Sequence, residues 1–429
     1  MSDRRRARLV VVGNGMAGMR TVEELLARAP DRFDITVIGA EQEPNYNRIQ
    51  LSSVLAGDKM RDDIIINPWS WYGKRGIRLM TGVAAVAIDR ADRCVVLADG
   101  STAPYDTLLL ATGSKPLAPS IPGVGLPNVR AFRDMADAEA MIAAARNGRR
   151  AVVIGGGLLG LEAAWGLKRR GMSVAVVHLM PTLMERQLDI AAGDLLRRDL
   201  DARGIAIFTN SQAEEIAGSE WAEAVVLADG RRLPADFVVL AIGIRPNIEL
   251  ARAAKLDVNR GILVGDDMRS SDPDIFAVGE CIEHNGQVFG LVAPIWDQAK
   301  VCGAQLGGDL SAVYVPPPVF TSLKITGVDV FSAGALAAAD DTDEEITLHD
   351  AKLGLYKKLI VRNDRLVGAV LYGSIGDGPW YVELMRDKAD VSAMRDRLVF
   401  GRSFAEQSDV TLAPDLPSTV HAVPQWQAA

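Results

Sequence analysis

Short apolar runs alternate along this chain with longer stretches of helix-forming residues. Residues 9–12 form the first apolar run and residues 21–29 the first helical stretch, and residues 151–154 and 161–168 repeat this order. Apolar runs of about four to eight residues are typical of strands buried on both faces, which alternate with helices in parallel sheets. The pattern therefore predicts an α/β fold with two parallel sheets, one beginning near residue 9 and one near residue 151.

A glycine-rich turn joins strand to helix at both places. The spacing G-x-G-x-x-G occurs twice, as Gly13, Gly15 and Gly18 and as Gly155, Gly157 and Gly160. In this motif the first glycine allows a tight turn, the second lets backbone N–H groups approach a pyrophosphate, and the third lets the helix pack on the strand. Two such motifs in one chain predict two bound dinucleotides and electron transfer between them.

The C-terminal part of the chain has a different pattern. From residue 316 onward it consists of shorter alternating segments, at residues 319–325, 328–333, 353–362 and 366–372. Asn363 and Asp364, between the last two segments, favour a hairpin turn, and residues 381–386 and 394–398 favour helix. The pattern predicts a small α+β domain, followed by a loosely ordered tail with several prolines.

Composition and charge exclude several classes of partner. The 429 residues suffice for two or three domains, and the net charge of −8 argues against nucleic acid or an anionic membrane as the main partner. No apolar run approaches the roughly 20 residues of a membrane-spanning helix. The arginines before residue 9 imitate a signal peptide, but the apolar segment after them is needed as the first strand. We therefore expect a cytoplasmic protein without a nucleic-acid or membrane partner.

The cysteines and histidines predict neither a disulfide framework nor a metal site. Cys94, Cys281 and Cys302 form no C-x-x-C pair, and the four histidines lack metal-ligand spacing. A mechanism that uses a redox cysteine pair is excluded for the same reason.

The residues expected to bind the two riboses depart from the usual pattern, in which an acid stands at the end of the second strand. The strand at residues 34–39 ends in Gly39, and acids follow as Glu41 and Glu43, of which we favour Glu41 as the ribose partner over a solvated loop carboxylate. The strand at residues 173–177 ends at His178, where a carboxylate would favour NAD and an arginine NADP. Arg186 is placed either to reach a 2′-phosphate or on an exposed helix face. The choice between NADH and NADPH stays open, with a slight preference for NADH.

Two segments give the sequence a specific family resemblance. Asn47-Arg48 with Leu51-Ser52-Ser53, and the segment His-Leu-Met-Pro-Thr-Leu-Met-Glu-Arg-Gln-Leu-Asp at 178–189, resemble the pyridine-nucleotide-dependent flavoprotein reductases with two dinucleotide domains. The N-terminal flavin part of the large subunit of assimilatory NAD(P)H nitrite reductase is the most similar branch. The resemblance implies two Rossmann-like domains of the glutathione-reductase type and a small α+β C-terminal domain. The implied division is residues 1–115 with 244–315 for FAD, 116–243 for NAD(P)H, 316–413 for the third domain and 414–429 for the tail.

The resemblance also assigns roles to individual residues. Arg48 would lie against the flavin phosphates or ring, and Glu280, at the end of an apolar strand, would accept a hydrogen bond from the ribityl chain. Related ferredoxin reductases have a lysine near flavin N5 where this chain has Ser53, so a Lys–Glu pair with Glu162 is not available. Glu162 would then be a helix residue near the nicotinamide, and Trp296 either lies by the flavin ring or is a core tryptophan.

The candidate contacts divide between the two nucleotides. For FAD they are Gly13, Gly15, Met16, Ala17, Gly18, Glu41, Asn47, Arg48, Ser52, Val83 (backbone near the adenine), Ala111, Thr112, Gly113, Gly279, Glu280, Pro294 and Trp296. For NAD(P)H they are Gly155, Gly157, Leu158, Leu159, Gly160, Glu162, His178, Arg186 and Gly243. No metal ligand and no certain catalytic side chain is predicted.

The expected reaction is direct hydride transfer from NADH or NADPH to FAD, which needs orientation of the two rings but no general acid or nucleophile. A one-electron carrier, either a ferredoxin- or rubredoxin-like protein or a separate nitrite or nitrate reductase component, is the expected acceptor, and reverse flow to NAD⁺ is open. The chain lacks cluster and sirohaem segments, so it would not reduce nitrite alone. An oxygen-using NAD(P)H oxidase and a redox-sensing flavoprotein scaffold are the alternatives, and a homodimer is compatible with any of them.

Overall fold

Two parallel sheets and one antiparallel sheet, each of five strands, organise the part of the chain that the structure describes. The structure is a computed structural model in which residues 6–316, 320–325 and 327–406 are described. Its strands are β1 (Ala7–Val12), β2 (Phe33–Gly39), β3 (Arg78–Thr81), β4 (Ala85–Asp89), β5 (Cys94–Leu97), β6 (Thr102–Pro104), β7 (Thr107–Leu110), β8 (Ser114–Pro116), β9 (Val129–Ala131), β10 (Arg150–Ile154), β11 (Ser173–Val177), β12 (Ile205–Phe208), β13 (Ala213–Ala217), β14 (Ala224–Leu227), β15 (Arg232–Pro234), β16 (Phe237–Leu240), β17 (Ile244–Pro246), β18 (Ile262–Leu263), β19 (Ile275–Ala277), β20 (Ile282–His284), β21 (Gln287–Val288), β22 (Phe320–Ile325), β23 (Val328–Gly334), β24 (Glu344–Asp350), β25 (Leu355–Arg362) and β26 (Arg365–Tyr372).

The helices lie between these strands in the order expected for an α/β chain. They are α1 (Met16–Arg28), α2 (Leu51–Ala56), α3 (Trp69–Lys74), α4 (Met135–Asn147), α5 (Leu158–Arg169), α6 (Ile190–Ala202), α7 (Glu249–Ala253), α8 (Val292–Gly307), α9 (Gly378–Arg386) and α10 (Arg402–Ala405). Short 3₁₀ helices cover Arg48–Gln50, Asp62–Ile64 and Ser392–Phe400. Among the described residues, no helix combines the length and apolarity that crossing a bilayer requires.

The two parallel sheets have the same plan. The first has the strand order β19-β7-β1-β2-β3 and the second the order β12-β11-β10-β16-β9, and every neighbouring pair is parallel. In each sheet the strand before a glycine motif, β1 or β10, is central and its last four residues are buried. The predicted pair of parallel α/β sheets is therefore confirmed, and the carboxyl ends of the central strands form one edge in each sheet.

A two-stranded ribbon connects the two halves of the molecule. Ser114–Pro116 of β8 pairs antiparallel with Ile244–Pro246 of β17, so the chain passes between the parallel sheets twice at the same place. The predicted domain boundaries after residues 115 and 243 fall at this ribbon, and the division itself stays a prediction. Small antiparallel sheets, β4-β5-β6 and β13-β14-β15, pack beside the first and the second parallel sheet respectively.

The third sheet confirms the predicted small α+β unit. Its strand order is β22-β23-β26-β25-β24, and the hairpin between β25 and β26 turns at Asn363 and Asp364, both with positive φ. Strand β24 was not predicted, because its sequence Glu-Glu-Ile-Thr-Leu-His-Asp alternates charge with apolar residues at a sheet edge. The predicted helix at 394–398 is part of the 3₁₀ helix Ser392–Phe400, and the predicted tail at 414–429 lies outside the described residues.

Local sequence rules set the bounds of several helices. Asp134 and Asp137 form a reciprocal capping box that begins α4, and Gly148 follows its last residue. The polar segment 45–53 leads into helix α2. The side chain of Asn47 accepts a hydrogen bond from Ile49 N (3.1 Å) and caps the 3₁₀ helix Arg48–Gln50, which runs directly into α2, whose apolar face is buried.

Helix α2 of the first domain packs against α5 of the second. A Cβ at Gly166 would lie 2.6 Å from Leu55 Cγ, so the two helices approach closely where α5 has no side chain. Arg170 at the end of α5 donates from Nη2 to Val54 O (3.0 Å) and from Nε to Leu55 O. These carbonyls belong to the last turn of α2, where few backbone N–H groups remain to bond them; Val54 O also accepts from Gly57 N (3.1 Å). Arg170 therefore both caps α2 and joins the two domains.

Replacing Arg170 with methionine should lower the free energy of unfolding by about 1–3 kcal/mol, because two partly buried carbonyls lose a charged donor. Arg169 is the matched control, since its ion pair among the described residues is with Asp58 and both side chains are more than a third exposed. Arg169→Met should cost less than about 1 kcal/mol. Urea unfolding of both variants measures the difference, and equal losses would contradict the capping role of Arg170.

Candidate functional site

The first glycine motif packs against the end of strand β7. Gly13 has φ +118°, and a Cβ on it would lie 2.1 Å from Ala111 O. A Cβ on Gly18 would lie 2.6 Å from Gly13 O, so α1 rests directly on the turn. A Cβ on Gly15 would meet no atom within 4 Å, and Gly15 is the N-cap residue of α1. Two of the glycines are thus required by packing, whereas the space at Gly15 is open.

The second motif repeats this geometry. Gly155 has φ +121°, and a Cβ on it would lie 2.2 Å from Ala241 O at the end of β16. A Cβ on Gly160 would lie 2.0 Å from Gly155 O, and one on Gly157, the N-cap residue of α5, would again meet nothing within 4 Å. The open position is the one at which the motif brings backbone N–H groups to a pyrophosphate.

The N-termini of α1 and α5 fit an anionic ligand. Neither has a side-chain cap or an acidic residue in its first turn, whereas Asp134 and Asp189 cap α4 and α6 through their side chains. The first N–H groups of a helix have no intrahelical acceptor, and the helix dipole favours negative charge there. We call each glycine turn, together with the helix N-terminus that follows it, a cradle: the first lies before α1 and the second before α5. Both cradles are therefore suited to a pyrophosphate, that of FAD in the first and that of NAD(P)H in the second. The donating groups would be the amides of Met16, Ala17 and Gly18 in the first cradle and of Leu158, Leu159 and Gly160 in the second.

Other predicted FAD residues surround the first cradle. A Cβ on Gly279, which follows β19, would lie 2.8 Å from the Ala17 side chain. Thr112 Oγ1 donates to Asn247 O (2.7 Å), and Gly113 O accepts from Asn247 N, which ties the end of β7 to the returning chain. Val83 lines a recess of about 700 Å³ together with Leu79, Met80, Thr81, Gly82, Ala98 and Asp99. These positions remain predicted contacts.

A chain of charged groups extends from the first cradle to the second domain. Glu41 accepts hydrogen bonds from Tyr46 and Arg48, and Arg48 Nη1 donates to Arg133 O (2.8 Å). Arg133 in turn forms an ion pair with Glu280. The two predicted flavin residues Arg48 and Glu280 thus both contact Arg133, which sequence reasoning missed because it lies in the other domain, before α4.

The remaining flavin candidates lie beside these groups. Glu280 also accepts a hydrogen bond from Ser114 Oγ (2.7 Å), whereas Glu43, the alternative ribose acid, pairs with Arg61 at 2.7 Å. Pro294 is buried in the first turn of α8, and Trp296 in the same helix is partly exposed, with the Arg20 guanidinium carbon 5.9 Å from its ring centroid.

Glu162 lies on α5 where this helix packs on α2; we call this contact between the two domains the seam. Burial raises the pKa of Glu162 to about 7, and the nearby Ser52 hydroxyl only partly opposes this rise. Ser52 belongs to α2, so the contact joins a predicted FAD residue with a predicted NAD(P)H residue. No cation contributes to the pKa of Glu162, as expected from Ser53 in place of lysine. The carboxyl group is consequently able to hold a proton near neutral pH.

His178 is enclosed behind the second cradle. Its Nδ1 accepts a hydrogen bond from Gly156 N (3.1 Å), and its Nε2 lies 3.0 Å from Thr182 O and 3.1 Å from Glu185 Oε2. Arg186 is exposed and lies in a turn, so its predicted alternative position on a helix face is wrong. Gly243 has φ +117° and directly precedes the connecting strand β17.

Large apolar side chains are exposed around the second cradle. Leu159 and Ile242 are 36% and 39% exposed, and Leu179 and Met180 are 62% and 42% exposed. All four follow the carboxyl ends of β10, β16 and β11, the edge at which ligands of parallel sheets bind. The edge therefore offers apolar surface beside the open glycine turn, as a nucleotide base requires.

Comparison with known proteins supports this geometry. A family model described as pyridine nucleotide-disulphide oxidoreductase matches residues 7–305, and one described as rubredoxin NAD⁺ reductase C-terminal domain matches residues 318–389. An NAD(P)H nitrite reductase of Bacillus subtilis (strain 168) is 46% identical over 384 residues, which are 90% of this chain and 48% of that protein. The assimilatory nitrate reductase electron transfer subunit of the same strain is 41% identical over 395 residues, 92% of this chain and 51% of that protein.

The chain thus spans about half the length of the curated relatives it matches. Among solved structures, the covalent complex of putidaredoxin reductase with putidaredoxin is similar, with a TM-score of 0.81 and 26% identity. The match covers 90% of this chain and 95% of that one, and therefore includes the third domain as well as both parallel sheets.

The two open glycines allow each cradle to be tested separately. Gly157→Ala should leave the fold and the FAD content intact but weaken NAD(P)H binding at least about tenfold, because its methyl group occupies the space of the approaching pyrophosphate. Gly15→Ala should instead lower the FAD content. Flavin absorbance measures the FAD content, and nucleotide titration measures the NAD(P)H affinity. The control is Gly73→Ala, because a Cβ added at Gly73 also has no neighbour within 4 Å. Unchanged NAD(P)H affinity in Gly157→Ala would place the nucleotide elsewhere.

Glu162→Gln should change stability in a pH-dependent way. The folded pKa of about 7 lies above the ordinary glutamate value of 4.5, so wild-type protein loses stability as the pH rises between these values, and the glutamine variant does not. From about pH 5 to about pH 8, the free energy of unfolding of the variant should rise by on the order of 2 kcal/mol relative to that of wild type. Urea unfolding at both pH values measures this, with exposed Glu214→Gln as control. A pH-independent difference would show that Glu162 is not desolvated.

Proposed function

Because the chain belongs to the pyridine nucleotide-disulphide oxidoreductase family, we propose that it moves a hydride from NAD(P)H to bound FAD and passes the electrons to a separate redox protein. Family membership confirms the predicted class, an FAD-dependent NAD(P)H oxidoreductase. FAD supplies, when bound, the hydride acceptor and the release of electrons one at a time. The residues of the chain supply binding, orientation and electrostatics.

The observation that carries the proposal is the contact between both nucleotide domains at one seam. Helix α2 of the first domain packs on α5 of the second, where Gly166 leaves room for Leu55, and Arg48 of the first domain donates to Arg133 O of the second at 2.8 Å. Arg48 is a predicted FAD contact, and Glu162 on α5, a predicted NAD(P)H contact, lies beside Ser52 of α2. A seam fixed in this way is where the protein can hold the reacting ends of two nucleotides together, and positioning is the main requirement of hydride transfer.

The charged residues of the seam have distinct roles in this proposal. Arg48 and Arg133 supply positive charge next to the first cradle, while Glu280, 17% exposed, accepts hydrogen bonds and faces the same side. Glu162 holds or releases a proton at its carboxyl oxygen, since burial brings its pKa to about 7. Asn47 accepts a hydrogen bond from Ile49 N and Ser52 Oγ donates to Ile49 O (3.3 Å), so both fix the segment that carries Arg48 and leads into α2.

A protein acceptor is favoured over a thiol mechanism. Cys281 and Cys302 are buried and burial raises the pKa of both thiols, and Cys281 Sγ lies 3.2 Å from Val278 O. All three cysteines are free thiols, which agrees with a cytoplasmic location. The third domain matches the C-terminal domain of rubredoxin NAD⁺ reductase, and putidaredoxin reductase is seen joined to the protein putidaredoxin.

The proposed acceptor is accordingly a one-electron carrier of the ferredoxin or rubredoxin kind, or a nitrite or nitrate reductase component like those of the Bacillus relatives. The same arrangement also allows electrons to pass in the reverse direction, from such a carrier to NAD⁺.

Anaerobic stopped-flow with NADH and with NADPH tests the first half of the proposal. At least one nucleotide should bleach the flavin absorbance of the holoenzyme, and a purified ferredoxin or rubredoxin added afterwards should restore it while becoming reduced. If neither nucleotide bleaches the flavin, the proposed function is wrong. Fast turnover in air without a carrier would instead support the NAD(P)H oxidase alternative, and bleaching without transfer to any carrier or to oxygen would support the sensor.

A further inference from the structure

The end of strand β11 lacks the carboxylate that usually selects NAD. Strands β10 and β11 are parallel with Ile154 opposite Val177, so the next residues, Gly155 and His178, lie side by side. An acid at the position of His178 would accept hydrogen bonds from the ribose hydroxyls. The sequence provides a histidine there, and the structure shows what that histidine does instead.

Both ring nitrogens of His178 are used within the protein. Nδ1 accepts the hydrogen bond of Gly156 N, so the ring hydrogen of the neutral side chain is on Nε2. Nε2 therefore donates to Thr182 O and to Glu185 Oε2, at 3.0 and 3.1 Å. The ring is 8% exposed, which leaves no ring nitrogen for a ribose hydroxyl.

The same contacts bring Glu185 to the second cradle. Met184 N donates to Gly156 O (3.1 Å), so the residue before Glu185 is bonded to the middle of the glycine turn. Leu183 and Met184 are each 1% exposed, which fixes this segment against the domain. The Glu185 side chain is 33% exposed, and its Oε1 has no hydrogen-bond partner among the described residues. A carboxylate is thus present beside the strand end, seven positions after the expected one.

We infer that Glu185 replaces the missing strand-end acid and makes the second cradle selective for NADH over NADPH. Its free oxygen accepts hydrogen bonds from the hydroxyls of the adenosine ribose, and its charge repels a 2′-phosphate. Arg186 is the competing residue, because an exposed arginine at this edge would favour the phosphate. Glu185 is favoured over it since His178 and Met184 hold the glutamate segment on the glycine turn, whereas no ion pair or hydrogen bond of the Arg186 side chain occurs among the described residues.

This inference rests on the proposed function and is tested by binding as well as by turnover. NAD⁺ and NADP⁺ are titrated into the oxidised holoenzyme, with Kd read from protein fluorescence or calorimetry. Wild type should bind NAD⁺ at least about tenfold more tightly than NADP⁺. Glu185→Gln, which keeps the size but removes the charge, should lower this ratio at least about tenfold, whereas Arg186→Ala should leave it within about twofold.

The inference is overturned if wild type binds NADP⁺ as tightly as NAD⁺, if Glu185→Gln leaves the ratio unchanged, or if Arg186→Ala alone weakens NADP⁺ binding tenfold or more. Flavin content and thermal unfolding of each variant separate loss of charge from loss of fold, and Glu185→Ser serves as a second variant should the glutamine variant unfold. Bleaching of the flavin by NADH with no effect of Glu185 on the ratio would reject only this inference. Failure of both nucleotides to bleach the flavin would reject the proposed function itself.

Discussion

The close approach of a glycine turn to the carbonyl group at the end of a neighbouring strand is the constraint on which this structure depends. It occurs twice, between Gly13 and Ala111 and between Gly155 and Ala241, where a Cβ would lie little more than 2 Å from the carbonyl oxygen. Because no side chain fits there, each helix begins directly at the sheet edge and its first amides face outward. Any larger residue would move the helix away from the strand, and the anion cradle would be lost with it.

A second requirement is that both cradles keep a fixed relation to each other. The chain crosses between the domains only through the ribbon of β8 and β17, which by itself is a narrow connection. The packing of α2 on α5 and the bonds of Arg170 to two carbonyls of α2 supply the missing restraint. Glu162 lies in this contact, and it is there that burial without a neighbouring cation brings a carboxyl pKa to about 7. The interface that orients the domains therefore also creates the unusual acid.

Most of the fold could be predicted from the sequence, because its signals are local. The two glycine motifs, the capping box of α4 and the turn at Asn363 each depend on residues within a few positions of one another. Helix α2 and strand β24 could not be predicted in this way. The first follows a polar segment and buries its apolar residues against another domain, and the second is a charged edge strand that pairs with β25. The residues Arg133 and Glu185 were missed for the same reason, since their contacts to Glu280 and His178 are made by folding and leave no spacing in the sequence.

The segment between strand β11 and helix α6 shows how these separate contacts combine. At its start His178 and Met184 are bonded to the second glycine turn, and at its end Asp189 caps α6 through Ala192 N. The second oxygen of Asp189 accepts the hydroxyl of Tyr356 and lies 3.4 Å from Lys358 Nζ, both on β25 of the third domain. Because Tyr356 and Lys358 are nearly buried, this contact cannot exchange freely with water. The segment beside the nucleotide cradle is thus held at one end by the cradle and at the other by the third domain, through the same few residues.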